Sequence, residues 1–345
     1  MPKDNENVIN PSGGPFPDSA VRSFTPDQMV RCESCLRANP PTRANCLYCG
    51  SALPVQPAAV VLQKPALRPL EKWEHGYNNI LLPSPANLSE GGLAEIADFL
   101  RLEKEDLWRI VAAAVPLPLA RSSSKEEAEL IQQRLKAAQM TSLIVADTLL
   151  GLDAALKLRA LEFRDNGVDA YQSPQSAPLK ISHDDFVLMV SGRITRKRVE
   201  LTEERKRSEN RVLEADQFFA DESTMDLYTK HETTPYRIAS GSFDFSCLAE
   251  RKLLVASENM SILISVFREN VPTISYDQTY NAVRKALEPV WRSEQQNEST
   301  GWRRGRPGKY SLGSVMETSN ESQFSRYSRL RYYLLKLMQT SDADV

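Results

Sequence analysis

Residues 32–50 read CESCLRANPPTRANCLYCG. Four cysteines, Cys32, Cys35, Cys46 and Cys49, stand in the spacing C-x2-C-x10-C-x2-C. Each C-x2-C turn delivers two sulfurs from one knuckle, and four thiolates are the tetrahedral donor set of structural zinc. Pro40-Pro41 suits the tip of the hairpin joining the knuckles. Gly50 follows the last ligand, where a residue tolerant of positive φ is useful. The stretch predicts a small four-cysteine ribbon holding one structural Zn2+ per chain. With all four positions taken by protein, no place remains for a reactive water. The alternative is a pair of disulfides or a redox site. Redox chemistry wants one C-x-x-C pair on a βαβ unit, whereas here two pairs share a hairpin.

The segment 32–53 resembles the small bacterial zinc-ribbon family, matching it at Asn39, Pro40, Pro41, Ala44, Gly50 and Leu53. The same spacing is similar to the Ran-binding-protein type of zinc finger, some of which read single-stranded RNA. That finger carries Trp two residues before its first Cys, where this chain has Val30. The fifth cysteine, Cys247, has no neighbouring His and reads as a core thiol.

Outward from the ribbon, residues 1–28 are polar and read as a disordered tail. Residues 54–75 carry Pro54, Pro57, Pro65 and Pro69 and read as an extended linker. The chain of 345 residues has a net charge of −2, but the charge is uneven. Both ends are mildly basic and the body between about 71 and 300 is acidic. That balance disfavours a general nucleic-acid coating protein. The N-terminus lacks an apolar signal segment, and the longest apolar run, 107–120, is broken by Arg109, Pro116 and Pro118. A cytoplasmic protein is expected, with its thiols reduced.

Residues 76–148 show a β-α-α-β-α-β pattern. Strands are predicted at 77–82, 115–120 and 141–146. The prolines of the second suit an edge. Helices are predicted at 88–100 and 103–114, and a third opens on the capping box Ser124/Glu127. The order resembles the C-terminal domain of the ribosomal stalk protein and the Clp-protease adaptor that shares its fold. The resemblance implies protein binding without chemistry. Glu90, Glu95 and Asp98 give the first helix an acidic face where the stalk family has lysines.

Residues 153–292 read as short strands with later helices. Strands are predicted at 158–163, 169–172, 180–181, 186–190, 193–201, 218–228 and 236–245, and helices at 249–267 and 279–291. The segment is similar to pleckstrin-homology-like domains through Ile181-Ser182-His183-Asp184-Asp185-Phe186 and Gly192. The mixed charges of 193–216 suit a long hairpin or solvated face. Residues 293–320 are polar and predict a loop, and 321–338 an amphipathic helix. In that loop Arg303, Arg304, Arg306 and Lys309 surround an Arg-Gly-Arg-Pro tetrad resembling the AT-hook core. The resemblance implies contacts in the minor groove of A/T-rich DNA. Arg326, Arg329 and Lys336 share a polar helix face that could add phosphate contacts.

The expected architecture is α+β and multidomain: a zinc ribbon, a β-α-α-β-α-β domain, and a β-rich domain with C-terminal helices. His75, His183 and His231 are scattered, and no nucleotide-binding or hydrolase motif is present. The expected function is a non-enzymatic adaptor with a protein partner and no membrane span. The alternatives are a nucleic-acid-binding regulator and an enzyme whose site carries no recognisable motif.

Overall fold

The structure, a computed structural model, describes residues 24, 26, 29–43, 45–54, 65–71, 73–83, 90–151, 154–206, 209–306 and 309–343. Side chains are not described at 90, 202–206, 209–215, 300–306, 309–313 and 341–343. Nearly all of the expected tail and half of the expected linker lie outside these residues. The chain divides into two compact units, 1–64 and 65–345.

The first unit is built on a two-stranded antiparallel pair, β1 (Val30–Arg31) and β2 (Ala38–Asn39). Its core is Val30, Cys32, Cys46 and Leu53.

The second unit begins with β3 (Tyr77–Leu81), α1 (Glu90–Leu100), α2 (Lys104–Ala112), β4 (Leu117–Ser122), α3 (Lys125–Ala137) and β5 (Ser142–Ala146). This is the expected order. β3 lies between β4 and β5, antiparallel to both, so Pro118 sits on an edge strand, opposite Ile80 and beside a shift in register. The Ser124 hydroxyl accepts from the Glu127 amide at 3.2 Å and caps α3. The Glu127 carboxylate turns away from the expected reciprocal bond and accepts the amides of Leu67 and Ser123.

Next come β6 (Leu156–Lys157), β7 (Ala160–Arg164), β8 (Gly167–Tyr171) and β9 (Leu179–Ser182), the last three forming an antiparallel meander. β10 (Phe186–Lys206) and β11 (Glu209–Thr229) are 21 residues each, followed by β12 (Tyr236–Ala239). At about 3.3 Å per residue, such strands run roughly 70 Å. The break expected at Ser191-Gly192 is absent. Gly192 stays in the strand because a Cβ there would meet Tyr280 at 2.6 Å and Phe324 at 2.7 Å.

The helix expected from 249 starts later, as α4 (Ala256–Asn270). Ala249, at φ 48°, interrupts the 3-10 segment Phe245–Arg251, and the Asn259 side chain holds both backbone groups of Leu253 ahead of the helix. β13 (Ser275–Asp277) and α5 (Tyr280–Leu287) follow. The loop expected at 293–320 is instead a hairpin, β14 (Glu294–Arg306) with β15 (Lys309–Ser319). The chain closes with α6 (Glu321–Ala343).

One sheet organises this unit, in the order β14-β15-β10-β11-β12-β6, with β13 added parallel to β10. Near its root both faces are covered. Leu188, Val190, Ile194 and Tyr228 pack with Ile80, Leu119, Tyr280, Trp291, Phe324 and Leu330. Met189, Met225, Leu227 and Ile238 pack with Leu263 and Phe267 on the other side. The first cluster joins α1–α3 to α5 and α6, so packing crosses the boundary expected near residue 150. Beyond Ile194 the sheet leaves the core. None of the described side chains at 195–201 or 216–221 is buried, and Phe218 and Phe219 are exposed.

A buried polar knot ties β3 to α6. Asp147 accepts from the Gly76 amide at 2.7 Å, Asn78 Nδ2 at 2.9 Å and Arg121 Nη2 at 2.6 Å. The Asn78 carbonyl accepts from Trp291 Nε1 at 2.9 Å, and the Trp291 carbonyl accepts from Gln323 of α6. Burial alone would raise the Asp147 carboxyl. The hydrogen bonds from Arg121, Asn78 and Gly76 outweigh it and hold the group below the usual carboxylate range. A depressed folded-state pKa contributes stability above the unfolded value, and that stability is lost as pH falls through the folded value. Asp147→Asn is therefore expected to cost roughly 2–3 kcal/mol at neutral pH. The gap to the unsubstituted chain should close below about pH 4, which urea unfolding by tryptophan fluorescence at several pH values measures.

Candidate metal centre

The two knuckles of the ribbon repeat one backbone device. Leu36 N donates to Cys32 O at 2.8 Å, and Gly50 N donates to Cys46 O at 3.0 Å. Cys32 N donates to Arg37 O at 3.0 Å, and Cys46 N donates to Ser51 O at 2.8 Å. Each turn closes on a residue of positive φ, Leu36 at 58° and Gly50 at 75°. Glycine adopts this region freely; leucine does so at a cost of order 1 kcal/mol.

These turns bring the four sulfurs together, all within 4.8 Å of one another. Cys32 and Cys49 Sγ are 3.6 Å apart, and Cys35 and Cys46 Sγ 3.5 Å. Four thiolates about 2.3 Å from a central ion form a tetrahedron with edges near 3.8 Å, so the cluster fits a metal ion. Backbone and amide groups are already aimed at the sulfurs. Tyr48 N and Asn39 Nδ2 each donate to Cys46 Sγ at 3.4 Å. Burial opposes ionisation of Cys46, but these donors outweigh it and bring its pKa down to about 6. At Cys35 the Arg37 amide lowers the value, yet burial and the neighbouring thiols win and push it up to about 12.

Asn39 is fully buried and joins the two knuckles. Its carbonyl accepts Leu47 N at 2.8 Å while its amide reaches Cys46 Sγ. The sequence showed Asn39 only as a motif match; its position in β2, opposite Val30, gives the reason for it. Outside the cluster, Leu36, Leu47 and Tyr48 are all more than half exposed, and the Arg37 guanidinium lies 4.8 Å from the Tyr48 ring centre. Cys247 behaves as expected of a core thiol: it packs against the second cluster, and burial raises its pKa to about 11.

The other candidate residues fall on the far part of the long sheet. Arg303, Arg304 and Arg306 lie on β14 and Lys309 on β15, with Arg303 opposite Ser311, Arg304 opposite Tyr310 and Arg306 opposite Lys309. Minor-groove insertion of the AT-hook kind uses an unpaired extended peptide, and this backbone is paired in a ladder. β15 in turn pairs with β10, placing Lys206 beside Lys309 and Arg205 beside Tyr310. The structure thus adds Arg205 and Lys206 to the basic residues singled out from sequence. Arg329 is buried rather than on a solvated helix face, and Arg326 and Lys336 are partly covered.

No family model matches the chain, nor does any curated protein or any solved structure. The ribbon, stalk-like and pleckstrin-homology-like resemblances therefore rest on the residues quoted above. Among the described residues, no helix is long and apolar enough to cross a membrane.

Asn39→Ala is expected to loosen the metal centre while leaving its four ligands in place. Zinc affinity should fall about tenfold in a competition titration against a chromophoric chelator, as for loss of a supporting hydrogen bond. Cys46→Ser should abolish stoichiometric metal, read by elemental analysis, without shifting the unfolding transition of residues 65–345.

Proposed function

We propose that this chain is a non-enzymatic interaction protein whose ribbon carries a structural zinc ion and presents its knuckles to a protein partner. The observation that carries this reading is the pairing of a closed four-sulfur cluster with exposed Leu36, Leu47 and Tyr48 at the knuckles. Four protein ligands leave the metal no open position for chemistry, so its role is to hold those side chains. Zinc is favoured over other ions by the all-thiolate donor set and the tetrahedral spacing. Exposed apolar and aromatic groups on a rigid support are the usual makings of a binding hot spot.

A second reading has one observation in its favour. Pairing of β14–β15 with β10 gathers Arg205, Lys206, Arg303, Arg304, Arg306 and Lys309 toward one end of a sheet, with Trp302 and Tyr310 among them. Basic residues interleaved with aromatics suit single-stranded nucleic acid better than duplex.

One comparison separates the two. Pull-down from native lysate with the full chain, with Leu36→Ser/Tyr48→Ser and with residues 1–55 removed is expected to recover a protein with the full chain alone. The double variant should keep its zinc. Recovery that does not depend on Leu36 and Tyr48 would overturn the first reading. Fluorescence anisotropy with labelled single-stranded DNA tests the second. Binding that weakens with salt and is lost in Arg304→Ala/Arg306→Ala would favour it.

A further inference from the structure

Beyond the core the long sheet narrows to four strands, in the order β14-β15-β10-β11. β13 pairs with β10 only at Leu188, Met189 and Val190, and β12 with β11 only between Thr224 and Leu227. Side chains along these strands alternate between two faces, and the register sorts them. Lys197 lies opposite Phe219 and Thr318, and Val199 opposite Gln217 and Met316. Gln295 and Asn297 of β14 extend the same two rows. Phe219, Val199, Met316 and Leu201 therefore share one face, set among uncharged polar residues. Phe219 is 70% exposed and Met316 37%.

Nearer the root the same face carries Met189, Met225 and Leu227, which are buried in the second core cluster with Leu263 and Phe267 of α4. Its apolar character thus runs on past the helix that covers it. The opposite face is of another kind. There Arg196 and Arg198 are outnumbered by Glu200, Asp216, Glu298 and Glu317. Phe218, the chain neighbour of Phe219, lies on that charged side, opposite Arg198. An apolar face left open beside a charged one marks a surface built to be covered by protein.

Size and charge choose what covers it. The pairing of β10 with β15 runs from Arg196 to Lys206. At about 3.3 Å per residue and about 4.8 Å between strands, four strands offer roughly 700 Å2 of face. A standard interface takes about 800 Å2 from each partner. Among the described side chains of this face between residues 193 and 201 of β10, the charged ones are Arg193, Lys197 and Asp221. Arg193 and Asp221 pair with each other at 3.0 Å. Two copies of this face meet little repulsion, whereas two copies of the opposite face would press carboxylates together. A sheet face of this kind also packs on its own like, about 10 Å apart. We propose that the chain forms a two-fold dimer in which this face of the long sheet packs on the same face of a second copy. Such an interface is isologous, each copy giving the same patch. It lies wholly within residues 65–345 and does not depend on the reading given to the ribbon.

The test is sedimentation equilibrium of the full chain from roughly 1 to 100 μM, where a reversible dimer is expected. Phe219→Glu and Met316→Lys each place a charge within the apolar face, and each should weaken the dimer at least about tenfold. Phe218→Glu, one residue away on the opposite face, should leave the dimer constant unchanged. All three positions are exposed, and far-ultraviolet circular dichroism is expected to match that of the unsubstituted chain. A chain that stays monomeric throughout this range would overturn the proposal, as when another segment or a different protein covers the face. So would a dimer that both Phe219→Glu and Met316→Lys leave intact, or one that Phe218→Glu weakens as much as Phe219→Glu does.

Discussion

The ion pair between Arg237 and Asp226 is the constraint on which the larger unit hangs. Both side chains are almost completely buried, and the guanidinium meets the carboxylate at 2.7 and 2.9 Å. Burial pulls the arginine toward neutrality, but Asp226 and Glu321 hold it firmly charged. Arg237 also donates to Ser325 and lies 5.1 Å from the Phe324 ring centre. Two strands and the last helix thus meet on one charge. Leaving either member of such a pair unpartnered costs about 3–5 kcal/mol, so the sheet and helix are held in a single arrangement.

From that junction the rest of the sheet is set. Glu321 takes Arg237 with one carboxylate oxygen and Arg196 of β10 with the other. Asn320, just before it, accepts from Thr195 N and donates to Arg193 O, standing in for a strand neighbour where β10 passes the start of α6. With the helix start fixed, its apolar residues Phe324, Tyr327 and Leu330 complete the core shared with α1–α3. Its later turns place Arg329 against Leu150 O and Tyr332 against Thr229 O.

How much of this was legible depended on how local the determining interaction is. The cysteine ligands are decided within 18 residues, and the C-x2-C turns show directly in the sequence. The β-α-α-β-α-β order was legible for the same reason: helical periodicity, a Ser cap and an edge proline are local signals. The long strands were not. Ser191-Gly192 looks like punctuation, and only the rings of Tyr280 and Phe324, about 90 and 130 residues on, explain why glycine belongs in mid-strand. The β14–β15 hairpin was hidden because Glu294, Gln295, Gln296, Asn297 and Glu298 are all exposed, leaving no alternation of apolar and polar residues to see.

The shared core has a consequence for how the chain is made. Ile80 and Leu119 finish packing only against Trp291, Phe324 and Leu330, and β10 finds β15 more than a hundred residues later. A ribosome delivers the chain N-terminus first, so residues 76–146 emerge with part of their apolar surface uncovered. That surface stays open until α6 has left the exit tunnel. The order of synthesis therefore gives this unit an interval in which it is open to chaperones and to aggregation. The long sequence separations also predispose it to slow folding. The ribbon closes on neighbours less than two dozen residues apart and is free of that delay.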